Sequence, residues 1–147
     1  MSAASGFRSH AETVAVTTGG DTHIVDITGE LQRVVAGSGV RTGQCTAMVV
    51  GSTAALTTLE YEPGLVTRDM AEAFEVVAPS DGRYLHEQTW HDDNGHSHVR
   101  AALVGPSLAL PVVDGAIPLG TWQQVVLMDF DTRPRDRRIV VTVLGGG

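Results

Sequence analysis

Short apolar runs, punctuated by glycine, set the pattern of this chain. Val14 and Val16 alternate with polar or small neighbours across Glu12–Thr17, the period of a half-buried strand. His23–Ile27 gives a second strand, with the turn at Gly19-Gly20. The period then lengthens. Leu31, Val34 and Val35 share one helical face, with Thr28 placed to cap the helix and Gly37 to end it. Two β-rich segments follow, Gly43–Val50 and Thr53–Leu59. Pro63 opens a second helix in which Val66, Met70, Ala73, Phe74 and Val77 recur at helical spacing, and Pro79 stops it. Residues 80–97 are polar. Strand patterning resumes through Val99–Val104, Ser107–Val113, Ile117, Val125–Phe130 and Ile139–Leu144, with a hairpin-turn signal at Asp114-Gly115. Strands outnumber helices, so the fold class is α+β: two packed, mostly antiparallel β-sheets with two short helices.

With 147 residues, 42% of them hydrophobic, the chain fits a single domain, 1–147. Folding at that length buries roughly two-thirds of the unfolded surface. Apolar runs such as Leu108–Val113 fall far short of the ~20 residues of a membrane span. The start, MSAASGFRSH, lacks the layout of a secretory leader, and the lone Cys45 fits a reducing compartment. A cytoplasmic protein with no membrane partner is expected.

The formal net charge is −7, and all ten basic residues are arginine. An acidic chain without a basic stripe is a poor binder of phosphate backbones, which argues against nucleic acid. The cluster Arg135, Arg137 and Arg138, with Arg133 nearby, reads as a solvated turn before a last strand. Cys45 lies in an apolar segment and reads as a small core residue.

Histidine placement carries the candidate chemistry. Four of the six histidines, His86, His91, His96 and His98, fall within 86–98. On an extended strand His96 and His98 project from one face and can share a cation, with imidazole nitrogens suited to zinc and similar metals. Glu87, Asp92 and Asp93 could complete or orient such a shell. A cupin site would place a glutamate where Ala102 and Leu103 stand, which excludes that alternative. No P-loop glycine motif is present.

The motifs Asn94-Gly95-His96-Ser97-His98, Gly105-Pro106-Ser107, Leu119-Gly120-Thr121-Trp122-Gln123 and Arg135–Arg138, preceded by Asp26-Ile27-Thr28 and Ser52-Thr53-Ala54-Ala55-Leu56, closely resemble the YjbQ family. The family carries the description of secondary thiamine-phosphate synthases. The resemblance implies a two-sheet α+β fold, a homotrimer, a divalent metal such as zinc, and a transferase acting on a small phosphorylated molecule. It also implies a site built on three histidines. His86 in Tyr84-Leu85-His86 matches one and His98 another, and the shell would be filled by His91, His96, an acid or water, with His91 as the candidate third metal ligand. The third is replaced: Gly51 stands before Ser52-Thr53-Ala54, where the family motif begins with histidine. That departure favours a non-catalytic metal- or small-ligand-binding trimer as the alternative. A histidine at Gly51 would restore a third nitrogen ligand, provided the backbone there needs no positive φ. Glu60 and Asp69 match family acids and are the candidate catalytic bases. Thr53, Trp122 and Gln123 are the candidate substrate contacts. Trp122 and Gln123 are adjacent, so at most one faces the pocket from a strand.

Overall fold

The computed structural model describes residues 6–147; residues 1–5, where the leader reading begins, lie outside them. In chain order the first elements are β1 (Phe7–Thr18), β2 (His23–Asp26), α1 (Thr28–Ser38), β3 (Thr42–Val50) and β4 (Ala54–Glu60). A π-helical turn, Leu65–Asp69, leads into α2 (Met70–Val77), followed by α3 (His86–Trp90) and α4 (Gly95–Val104). The last strands are β5 (Ser107–Val112), β6 (Gln123–Asp129) and β7 (Arg135–Gly146). β1-β7-β3-β5 form a four-stranded antiparallel sheet and β2-β6-β4 a three-stranded one. Among the described residues, no helix is long and apolar enough to cross a membrane.

Register follows from alternation. Ile139, Val141 and Val143 of β7 stand opposite Val49, Ala47 and Cys45 of β3, and all six are buried. A one-residue slip would turn that whole set to solvent. These side chains meet Leu56, Val125 and Leu127 of the smaller sheet, and Leu31, Val34 and Val35 of α1 close one side of the sandwich. The smaller sheet is covered on its other face as well. Val126 and Met128 of β6 pack with Phe74 of α2 and Ala101 of α4. Burial on both faces explains why Val125–Phe130 reads as a continuous apolar run rather than an alternating one.

Among the described residues there are four α-helices instead of two. The segment 99–104, expected as a strand, belongs to α4. Its Arg-Ala-Ala-Leu composition favours helix, and Ala101 is needed to cover the smaller sheet. Thr28 does not cap α1: its Oγ1 accepts the Val125 N–H at 2.8 Å, while Asp26 Oδ1 accepts the Thr28 N–H at 2.8 Å. The helix ends one turn-residue pair later than expected, at Gly39, whose φ of +70° supplies the left-handed cap. Val77, expected on the apolar face of α2, is 62% exposed. Asp114-Gly115 does form the expected turn, bridging Val113 and Ala116.

Leu127 is fully buried between the sheets. Leu127→Ala should therefore cost about 2–5 kcal/mol in urea unfolding. Val77→Ala should stay within about 0.5 kcal/mol, despite its place in the helical repeat.

Candidate functional site

A buried charge cluster joins the two sheets at one end. Arg137 of β7 grips Asp129 of β6 with two parallel bonds, Nε to Oδ2 at 2.6 Å and Nη2 to Oδ1 at 2.7 Å. Nη2 also donates to Thr53 Oγ1 at 2.7 Å, and that hydroxyl donates to Asp131 Oδ2 at 2.9 Å. Arg135 Nε reaches the same Asp131 oxygen at 2.8 Å, and the Thr18 hydroxyl donates to Asp129. The arginine cluster is thus not a solvated turn. Arg137 is in phase with Ile139, Val141 and Val143, so its side chain points inward, while Arg138 faces out. Burial pushes the Asp129 carboxyl up, but hydrogen bonds from Arg137, Thr18 and the Asp131 N–H together hold it below the ordinary carboxylate range. Asp131 is lowered in the same way: burial opposes, and Arg135, Thr53 and the Thr132 N–H prevail.

Beside this cluster lies a cleft of about 400 Å³, lined by Gly51, Ala54, Ala101, Ala102, Pro106 and His98. Gly51 has φ +127°, and a Cβ built on it would meet Arg137 Nη1 at 3.0 Å. A histidine there would strain the backbone and press on the guanidinium. At the cleft's edge α4 presents His98 to His86, the first residue of α3. Their ring centroids lie 4.5 Å apart with planes at 37°. His86 Nδ1 is 3.1 Å from Asp92 Oδ1 yet is buried without a hydrogen bond, because the two are poorly aligned.

His96 is not part of that pair. On a helix, residues two apart diverge by about 200°, so the strand argument for a shared face fails once 95–104 is helical. His96 is buried, its Nδ1 has no partner, and burial followed by the Arg100 charge lowers its pKa. His91, the left-handed C-cap of α3 at φ +54°, lines a separate hollow with Tyr84, Glu87 and Gln88. Among the described residues, no group of three or more His, Cys, Asp and Glu is disposed to hold a metal ion.

The remaining candidates do not line the His98 cleft. Glu60 and the 72%-exposed Trp122 share a hollow of about 240 Å³ with Tyr61, Glu62, Pro63 and Gln124. Asp69 is exposed on the π-helical turn. Gln123 ties strand to strand, its Nε2 donating to Thr58 Oγ1 at 3.0 Å. The Thr53 hydroxyl is engaged by Arg137 and Asp131. Cys45 is buried as expected, with its thiol pushed up to about 11 by desolvation. The charge of Arg137 groups it with a solvated turn in the sequence, although its even spacing from Ile139, Val141 and Val143 marks it as inward-facing.

The family model described as UPF0047 protein YjbQ-like matches residues 12–146. The chain belongs to this family. A Synechocystis UPF0047 protein is 37% identical over 145 residues, covering 99% of this chain and 98% of its own. A Methanothermobacter thermautotrophicus UPF0047 protein is 38% identical over 122 residues, 83% of this chain and 82% of its own. Among solved structures, a YbjQ-like protein of unknown function from Sulfolobus solfataricus superposes with TM-score 0.88 at 31% identity, covering 95% of this chain and 99% of its own. A YjbQ/UPF0047 protein from Clostridium acetobutylicum gives 0.81 at 32% identity over 90% and 98% of the two chains. The YjbQ-like fold, two antiparallel sheets with short helices, is therefore shared along nearly the whole length.

Acid should weaken this YjbQ-like chain in two stages. His96, kept neutral by burial, favours unfolding once pH falls below its free value of about 6.5. Asp129 and Asp131, whose folded pKa values are depressed, hold their stabilisation above about pH 4 and lose it below. Urea midpoints measured from pH 7 to pH 3 should show both declines, and His96→Gln should remove only the upper one.

Proposed function

We propose that this chain is a cytoplasmic homotrimer that binds a small phosphorylated molecule in the cleft beside His98, with His86 and His98 as two nitrogen ligands for a divalent metal such as zinc. The observation that carries this reading is the imidazole pair, 4.5 Å between ring centroids, at the edge of a largely apolar cleft. The donors suit zinc in kind, and the orphaned His86 Nδ1 leaves a buried nitrogen available. Gly51 supplies no third imidazole, so the remaining positions would fall to Asp92, water or the bound molecule. A metal held there would supply positive charge to a phosphate or lower the pKa of a bound water. Glu60 and Asp69 line no part of this cleft, which favours ligand binding over the thiamine-phosphate-synthase-like transferase chemistry. Thiamine-phosphate formation by the purified protein would restore the enzyme reading.

Metal content measured on protein purified without a histidine tag tests the pair. His98→Ala should lose zinc and His10→Ala should keep it; equal content in both overturns the assignment. The trimer is supported by the outer face of the four-stranded sheet, where Met48, Val50, Val140 and Leu144 are exposed without a covering layer. Light scattering at micromolar concentration should give three times the chain mass, and a monomer mass would exclude it.

A further inference from the structure

We infer that Arg137 Nη1, beneath the open space over Gly51, anchors the oxyanion group, phosphate or carboxylate, of a small ligand lying in the cleft, and that this anchor works without a metal. The inference deepens the ligand-cleft reading and rests on it for the position of the ligand, but not on the imidazole pair.

The Arg137 side chain is only 8% exposed, and its donors divide unequally. Nε and Nη2 are committed to Asp129 and Thr53. Nη1 makes no hydrogen bond among the described residues. It lies instead against Gly51, a residue of the cleft wall that carries no side chain. Among the described residues, the only atom outside Gly51 and its chain neighbours within 4 Å of a Cβ built on Gly51 is Arg137 Nη1 itself. Any other residue at this position would press its Cβ against Nη1; glycine leaves that space unfilled.

Three physical features suit this group to an oxyanion. The bidentate grip of Asp129 fixes the guanidinium plane, so binding freezes no further arginine rotamers. Burial makes a charge-assisted bond from Nη1 stronger than one on the surface. The surrounding charges also permit it. Arg137 is met by Asp129 and Arg135 by Asp131, so the cluster does not repel an anion although the chain as a whole is acidic. Ala54, Ala101, Ala102 and Pro106 offer the rest of the ligand an apolar wall. The matching ligand is a small molecule with an oxyanion at one end and an apolar body.

The probes are phenyl phosphate, benzoate and inorganic phosphate, titrated calorimetrically into the full chain with a chelator present. Phenyl phosphate or benzoate should bind more tightly than inorganic phosphate, because the ring meets the apolar wall. A preference for phenyl phosphate makes the group a phosphate, and a preference for benzoate makes it a carboxylate. Gly51→Ala places a methyl against Nη1 and should weaken binding about tenfold or more, the loss of one charged hydrogen bond. Because alanine is strained at this φ, Ala102→Asp is the second variant. Residue 102 is exposed on α4, and a carboxylate there should weaken binding by repulsion with the melting midpoint nearly unchanged. Failure of the parent to bind either aromatic anion overturns the inference, as does parent-like binding by both variants. His98→Ala that loses zinc but keeps the aromatic anion separates this anchor from the metal reading; zinc retention without anion binding would leave that reading standing and this one refuted.

Discussion

A buried arginine between two sheets must be paired, because an uncompensated charge in that environment costs several kcal/mol. Arg137 answers the constraint with a two-point grip on Asp129, and the rest of the molecule is arranged around that grip. It links β7 of the larger sheet to β6 of the smaller, draws in Thr18 at the end of β1, and fixes Thr53 just before β4. A pair of this kind contributes little net stability compared with apolar packing of the same volume. Its effect here is on register. Sliding β7 by one residue would expose Arg137, strand Asp129 without a partner and turn Ile139, Val141 and Val143 to solvent together.

The cleft is a consequence of the same arrangement. Fixing Thr53 places the bend at Gly51 and Ser52 over the guanidinium. β6, apolar on both faces, requires a cover on its outer side, and α4 supplies it through Ala101. The helix that covers the sheet is also the one that carries His98, so packing and candidate chemistry share one element. The short α3 then brings His86 alongside His98 at the cleft's edge.

Gly51 shows how one position alters what such a cleft can do. A histidine there would need a conformation that L side chains rarely adopt, φ +127°, and would rest on Arg137 Nη1. With glycine, the nitrogen set is one short of the three found in catalytic zinc sites, and a guanidinium edge is uncovered in its place.

Much of this was legible in the residues alone. Alternation marked β1, short apolar runs marked β3, β5 and the apolar part of β7, turn residues marked Asp114-Gly115, and the family motifs picked out His86, His98 and the odd glycine. These features depend on neighbours in the chain, so local pattern determines them. Tertiary structure decided the rest. The segment 95–104 combines histidine and valine with a helix-favouring Arg-Ala-Ala-Leu run, and the need to cover β6 decides it as helix, which in turn separates His96 from His98. Glu60, Asp69, Trp122 and His91 lie on other surfaces than the cleft because their elements pack elsewhere, something no spacing in the sequence encodes. Arg137 lay between the two cases: its phase was readable, but its partner on another strand and the glycine above it were brought together only by the packing of the two sheets.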